Sequence, residues 1–208
     1  MTIDLTRGSP TRRIRKLTAA DIETLQMLDA QAHGSAWSHR TFVDEVESND
    51  RTHLVAEASG AVVGHAAAWI DGPTCRISNV AVDQAHRNCG HASALLAAVL
   101  RSTIDHAGVR NVQLEVRPSS RGAQRLYNRF GFVPVGIERD FYDRRDKTGS
   151  TDALVMAVPD VCNDAWRTRL ADIDSTTLAP GGIQADDTQP GRPRTDPKDQ
   201  PDHAKASV

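Results

Sequence analysis

The sequence predicts an α/β domain in which helices pack on a mixed sheet, and three observations carry this. Apolar runs of period 2 alternate with stripes of period 3.6 between about residues 11 and 159. Two strand-like runs, THLVAEAS and AVVGHAAAWI, meet at a tight Ser59-Gly60 turn, the mark of a hairpin. At VAVDQAHRNCGHASALLAAVL, residues 80–100, an apolar strand passes through the single glycine Gly90 into a long helix.

The elements follow in order. TRRIRKL reads as a first strand. Thr18, with Asp21 three residues on, reads as a helix cap. Ile22, Leu25, Met27 and Leu28 then give helical spacing. SHRTFVDEVES opens on Ser38 or Thr41 as a cap and predicts a second helix. The hairpin follows, and then CRISNVAV as a strand. Leu95, Leu96, Val99, Leu100 and Ile104 form one helical stripe that ends near Gly108. NVQLEVR alternates, with Val112, Leu114 and Val116 on one face and Gln113 and Glu115 on the other. RGAQRLYNRF is a helix closed by Gly131, and FVPVGIERDFY and DALVMAV are the last strands.

The ends differ from the middle. Residues 1–10 are expected to be a loose N-terminus, 11–159 the working domain, and 160–208 a mostly disordered tail rich in Pro and Asp. Pro180, Pro190, Pro193, Pro197 and Pro201 stand among polar residues that cannot bury enough surface to offset the entropy of ordering. Disorder is expected from about residue 175, with DAWRTRLADI expected as a frayed helix before it.

Of the 208 residues, 39% are hydrophobic and 25% charged, and the formal net charge is -2. This balance argues against direct nucleic-acid binding, which favours basic domains. No run reaches the roughly 18 apolar residues of a membrane helix. Cys75, Cys89 and Cys162 are odd in number and form no CxxC pair, so a disulfide framework or zinc ribbon is not expected. The cysteine usage fits a reducing, cytoplasmic setting. His86 and His91 lack a third ligand, so no metal site is expected.

The Gly90 junction is a candidate anion site. The first N–H groups of a helix have no internal partner, and the macrodipole adds partial positive charge there. Gly90 permits close approach, Ala92 and Ser93 are small, and Arg87 brings a full charge. A glycine placed for turn geometry alone accounts for the loop as well. Neither the Walker pattern nor GxGxxG is present.

Four collinear blocks carry a family resemblance. Arg87-x-x-Gly90-x-Ala92 after NVAV resembles the Q/R-x-x-G-x-G/A motif of the GCN5-related N-acetyltransferases. LEVRPSS with AQRLYNRFGF is similar to a run of their RimI subfamily, as is AHGSAWSHRTF upstream. ERDFYD followed by DALVM resembles that subfamily's ending. Together they span about residues 14–158.

The resemblance implies a mostly antiparallel sheet with a splayed strand pair that holds acetyl-CoA. The implied reaction is direct acetyl transfer to a protein N-terminal α-amine. The acceptor would be alanine at the start of a small-subunit ribosomal protein, the eighteenth in the subfamily's namesake case. Acetylation of a small amine or of lysine side chains is the alternative enzyme, and a non-catalytic CoA-binding module is the alternative class.

The resemblance also assigns residues. The backbone of Val80, Ala81 and Val82 would hold the pantetheine arm. Arg87, Asn88, Cys89, Gly90, His91, Ala92 and Ser93 would surround the pyrophosphate. Ser120 stands where the family has an asparagine that touches the cofactor. Glu115 would be the general base. Its spacing alone fits a solvated or salt-bridged glutamate equally well. Tyr127 would be the general acid, with a rim tyrosine as the plain alternative. Trp37, Arg139, Phe141 and Tyr142 are candidates for the peptide entrance, and each also fits ordinary packing or a strand edge.

Overall fold

A computed structural model describes residues 12–34, 36–48, 50–104, 108–142, 151–177 and 205–206. In chain order the elements are β1 (Arg12–Lys16), α1 (Ile22–His33), α2 (His39–Glu47), β2 (Arg51–Ala58), β3 (Ala61–Asp71), β4 (Thr74–Val82) and α3 (His91–Ile104). There follow β5 (Asn111–Val116), α4 (Arg121–Arg129), β6 (Val133–Glu138), β7 (Ala153–Val158), α5 (Asp164–Thr177) and β8 (Lys205–Ala206). The sheet order is β1-β2-β3-β4-β5-β7-β6, with β8 added to β4. Only β4–β5 and β4–β8 are parallel; the other neighbours are antiparallel. This is the mixed, mostly antiparallel sheet expected from the sequence.

Local chemistry explains the joints. Ser59 and Gly60 have φ of 53° and 82°. Two successive positive values suit the tight turn of a right-twisted hairpin. Ser38 caps α2, its Oγ accepting the Thr41 N–H at 3.0 Å. Before α1, Asp21 Oδ2 accepts from the Thr18 N–H at 2.9 Å, and Arg15 donates to both oxygens of Asp21 at 2.7 and 2.8 Å.

Two apolar clusters flank the sheet. The larger joins strand residues such as Ile77, Val80 and Leu114 to Leu95, Leu96, Val99 and Leu100 of α3 and to Tyr127, Phe130 and Phe132. The smaller gathers Leu17, Ile22, Leu25, Trp37, Phe42, Val55 and Ala67 under α1 and α2. Met27, expected on the apolar stripe of α1, is 67% exposed, whereas Ile22, Leu25 and Leu28 are buried.

α5 extends the ordered core past the boundary expected at 159. Trp166, Leu170 and Ile173 are buried in the larger cluster, and Trp166 Nε1 donates to Phe130 O at 2.8 Å. Their i, i+4, i+7 spacing puts them on one helical face. The expected loose N-terminus, and the tail at 178–204, lie outside the described residues. Among the described residues no helix is long and apolar enough to cross a membrane.

β4 positions the site. Asn79 pairs with Ala67 and Ile77 with Ala68, so Ser78 is an extra residue on β4. Such a bulge shifts the alternation of faces. Cys75 and Ile77 before it, and Val80 and Val82 after it, all join the same core. The β4–β5 ladder runs only from Thr74–Asn111 to Ile77–Leu114. Beyond it the edge of β4 is taken by β8, with Asn79 opposite Lys205 and Val80 opposite Ala206.

Candidate active site

The loop after β4 is shaped by its polar residues. Asp83 accepts the Ala85 N–H at 2.9 Å and contacts His86 Nδ1 at 2.8 Å. Asn88 and Gly90 have φ of 60° and 83°, the left-handed region that asparagine and glycine tolerate best. The chain then enters α3, whose first turn closes with Ala94 N–H donating to Gly90 O at 3.0 Å.

A cavity of about 320 Å³ lies against this turn, lined by Val82, His86, Arg87, Asn88, Gly90, His91, Ala92, Ser93, Gly122, Arg125 and Leu126. The structure therefore brings together Val82, Arg87, Asn88, Gly90, His91, Ala92 and Ser93 of the cofactor set. Cys89 is exposed and is not among the lining residues. Val80 and Ala81 are fully buried in β4. Ser120 stands at the N-cap of α4, its carbonyl accepting the Gln124 N–H at 3.1 Å.

The far wall comes from α4, which overlaps the AQRLYNRFGF block, but its residues were not assigned to the cofactor from the sequence. Gly122, Arg125 and Leu126 stand at i, i+3 and i+4, and that spacing on the helix is the signal that marks it. With Arg87, Arg125 gives the cavity two guanidinium groups beside a helix N-terminus. This donor set suits a pyrophosphate.

Glu115 occupies the penultimate position of β5, past the last β4–β5 pair, and is 8% exposed. Gln113 Nε2 donates to its Oε1 at 3.1 Å, and Arg76 Nη1 is 3.8 Å from that oxygen. Burial pushes the carboxyl up, Gln113 and Arg76 pull it down, and the net shift is upward. Arg76 was not singled out from the sequence. Its register opposite Gln113 on the neighbouring strand exists only once the sheet forms.

Tyr127 is fully buried on α4, its ring 5.8 Å from that of Phe132. Its hydroxyl has no hydrogen-bond partner among the described residues, and burial drives its pKa well above the ordinary phenol range. Tyr142 is also buried, with the guanidinium of Arg117 stacked 3.7 Å over its ring and Phe141 edge-on at 4.9 Å. Trp37 is 5% exposed within the smaller core, 5.6 Å from Phe42, so its indole serves packing in this structure. Arg139 is exposed and pairs with Asp152 at 2.9 Å.

His86 and His91 stack edge to face at 6.1 Å. Among the described residues no group of three His, Cys, Asp or Glu could hold a metal ion.

Comparison with known proteins bears on this site. The chain matches the acetyltransferase (GNAT) family over residues 20–132. It is 30% identical over 149 residues to a putative [ribosomal protein bS18]-alanine N-acetyltransferase of Bacillus subtilis, covering 70% of this chain and 93% of that relative. It is 28% identical over 146 residues to the [ribosomal protein bS18]-alanine N-acetyltransferase of Escherichia coli K12, covering 70% and 96% respectively. The crystal structure of the ribosomal-protein-S18-alanine N-acetyltransferase from Escherichia coli superposes with a TM-score of 0.63 at 26% identity. That match covers 74% of this chain and 97% of the other.

Proposed function

Because the chain belongs to the GNAT acetyltransferase family and is an acetyl-CoA-dependent N-acetyltransferase, we propose that it acetylates protein N-terminal α-amines, with the N-terminal alanine of ribosomal protein bS18 as its acceptor. The observation that carries this reading is similarity over nearly the whole length of two relatives named for that reaction. The catalytic unit then runs from about residue 11 to the end of α5, and the reaction belongs in the cytoplasm, where ribosomes are made.

Each residue has a task. Acetyl-CoA supplies the acetyl thioester. The α3 N-terminus, Arg87 and Arg125 hold its pyrophosphate, and the β4 edge at Val80–Val82 holds the arm. Glu115 accepts the proton of the incoming ammonium. An α-amine has a pKa of about 7.7–8.0, so a carboxylate raised by burial is matched well enough to take it. The neutral amine attacks the carbonyl carbon, the N–C bond forms and the C–S bond breaks. Tyr127, a phenol that stays protonated at neutral pH, gives its proton to the departing thiolate and is made whole by the second proton that the new amide nitrogen sheds, while Glu115 keeps the first.

Peptides test this. An Ala-starting peptide with the bS18 N-terminal sequence should accept acetyl. The same peptide with a blocked N-terminus and an internal lysine should not. Equal acetylation of the two would overturn the α-amine assignment.

A further inference from the structure

Asp29 of α1 has no exposed surface and binds four neighbours. Its Oδ1 accepts from Asn79 Nδ2 at 2.8 Å and its Oδ2 from the Trp37 N–H at 3.0 Å. His65 Nε2 lies 3.3 Å and His33 Nε2 3.5 Å from Oδ1. One carboxylate thus joins α1, the connection to α2, β3 and the β4 bulge. Burial pushes its pKa up, but the histidines and the Trp37 N–H pull it down to about 2. It is ionised at neutral pH.

The contacts continue away from the site. His65 Nδ1 meets His53 Nε2 at 3.0 Å, and His53 Nδ1 meets Glu45 Oε2 at 3.2 Å. Glu45 Oε1 accepts from Arg51 Nη1 at 2.8 Å. Burial raises the Glu45 carboxyl, His53 and Arg51 lower it, and the net shift is downward. His65, His53 and Glu45 are all buried.

Protons can be counted along this line. The contacts Asp29–His65, His65–His53 and His53–Glu45 each need one N–H. Two neutral imidazoles carry only two. With two protons, either one ring turns a lone pair toward a buried carboxylate or the two rings turn lone pairs toward each other. With three, every contact is satisfied. His65 Nε2 makes no hydrogen bond among the described residues, and its 3.3 Å approach to Asp29 Oδ1 is an ion-pair contact, which calls for a charged ring. Charge gives the same answer. With His33 neutral, Asp29 and Glu45 bring two negative charges and Arg51 one positive, so a third ring proton makes the buried group neutral, and uncompensated buried charge is strongly disfavoured. His33 Nε2 serves Asn79 Oδ1 at 3.0 Å.

We propose that His53 and His65 together hold one extra proton between Asp29 and Glu45, and that this charge makes Asp29 the positioning residue for the β4 bulge and the α1–α2 connection. The charged and titratable groups facing the pair are Asp29 and His33 from α1, Glu45 from α2 and Arg51 from β2; β4 contributes the uncharged Asn79. Asn79 is tied to Asp29 by its side chain, and its backbone borders the gap where the β4–β5 ladder has ended. Fixing Asp29 therefore fixes the strand edge at the acetyl-transfer site.

Two measurements test this on the full chain. Imidazole nitrogen NMR at pH 7, assigned with His53→Gln and His65→Gln, should show three ring N–H protons on the pair. Asp29→Asn should reduce them to two. Two neutral rings in the wild type overturn the shared charge. If Asp29→Asn does not fold, Glu45→Gln is read the same way.

The second measurement rests on the proposed acceptor. Asp29→Asn should lower kcat/KM for the Ala-starting peptide about 10- to 100-fold, and it should weaken acetyl-CoA binding as well, because Asn79 adjoins Val80 on the edge assigned to the arm. An unchanged kcat/KM overturns the positioning role. A wild type that turns over no peptide refutes the acceptor instead, and the NMR result still decides the shared charge.

Discussion

Arg76 Nη1 lies 3.8 Å from Glu115 Oε1, across the point where β4 and β5 part. This pairing moderates a carboxyl whose pKa is raised chiefly by burial. The sign of its stability effect follows. A raised acid binds its proton more tightly in the folded state, so its contribution is full below the ordinary glutamate pKa and is lost as pH rises through the folded value. Above that value the ionised Glu115 destabilises the fold. Glu115→Gln should therefore raise Tm on the alkaline side of that titration while lowering kcat by about 10²- to 10⁴-fold. Thermal unfolding and steady-state kinetics check both. An unchanged kcat would remove Glu115 as the base.

Arg76→Gln removes the nearby positive charge that lowers the Glu115 carboxyl. The acid limb of the kcat/KM profile should shift to higher pH, and acetyl-CoA binding should be little changed. A limb that stays in place would mean another group sets it.

Tyr127→Phe deletes a buried hydroxyl that has no hydrogen-bond partner among the described residues. Such a loss strands no partner, so Tm should hold or rise. Turnover should fall by a factor of about 10² or more if the phenol protonates the thiolate. Calorimetry beside kcat separates the two effects, and wild-type turnover would refute the acid role.

Gly64 of β3 backs β4, the strand proposed to hold the cofactor arm. A Cβ there would meet Ala81 O at 2.8 Å and Val82 Cγ2 at 3.1 Å. Backbone cannot yield as a side-chain tip can, so Gly64→Ala should lower Tm and raise the KM for acetyl-CoA through displacement of β4. A normal KM at lowered Tm would separate strand position from cofactor affinity.

β8 pairs with Asn79 and Val80, part of the edge assigned to the cofactor arm. Ending the chain at 177 keeps α5 and should lower the KM for acetyl-CoA, because a competitor for that edge is removed. Ending it at 159 should instead lower Tm, since Trp166, Leu170 and Ile173 leave the core. Isothermal titration with acetyl-CoA together with thermal unfolding of the two truncations distinguishes these outcomes.

The sequence by itself determined the order of elements from β1 to β7, the Ser59-Gly60 hairpin, the Gly90 turn into α3 and the alternation that sets Glu115 and Leu114 on opposite faces. These are local matters of φ/ψ, period and capping, which neighbouring residues decide. Resemblance in four blocks added the chemistry. Tertiary structure decided what depends on register and burial. It set Arg76 beside Glu115, drove the Tyr127 hydroxyl into the core, and stacked Arg117 on Tyr142. It also packed α5 onto the domain and aligned Asp29, His65, His53 and Glu45 through residues from four elements. No local pattern marks those four, because the attraction between them arises only after folding removes water and lowers the dielectric around them.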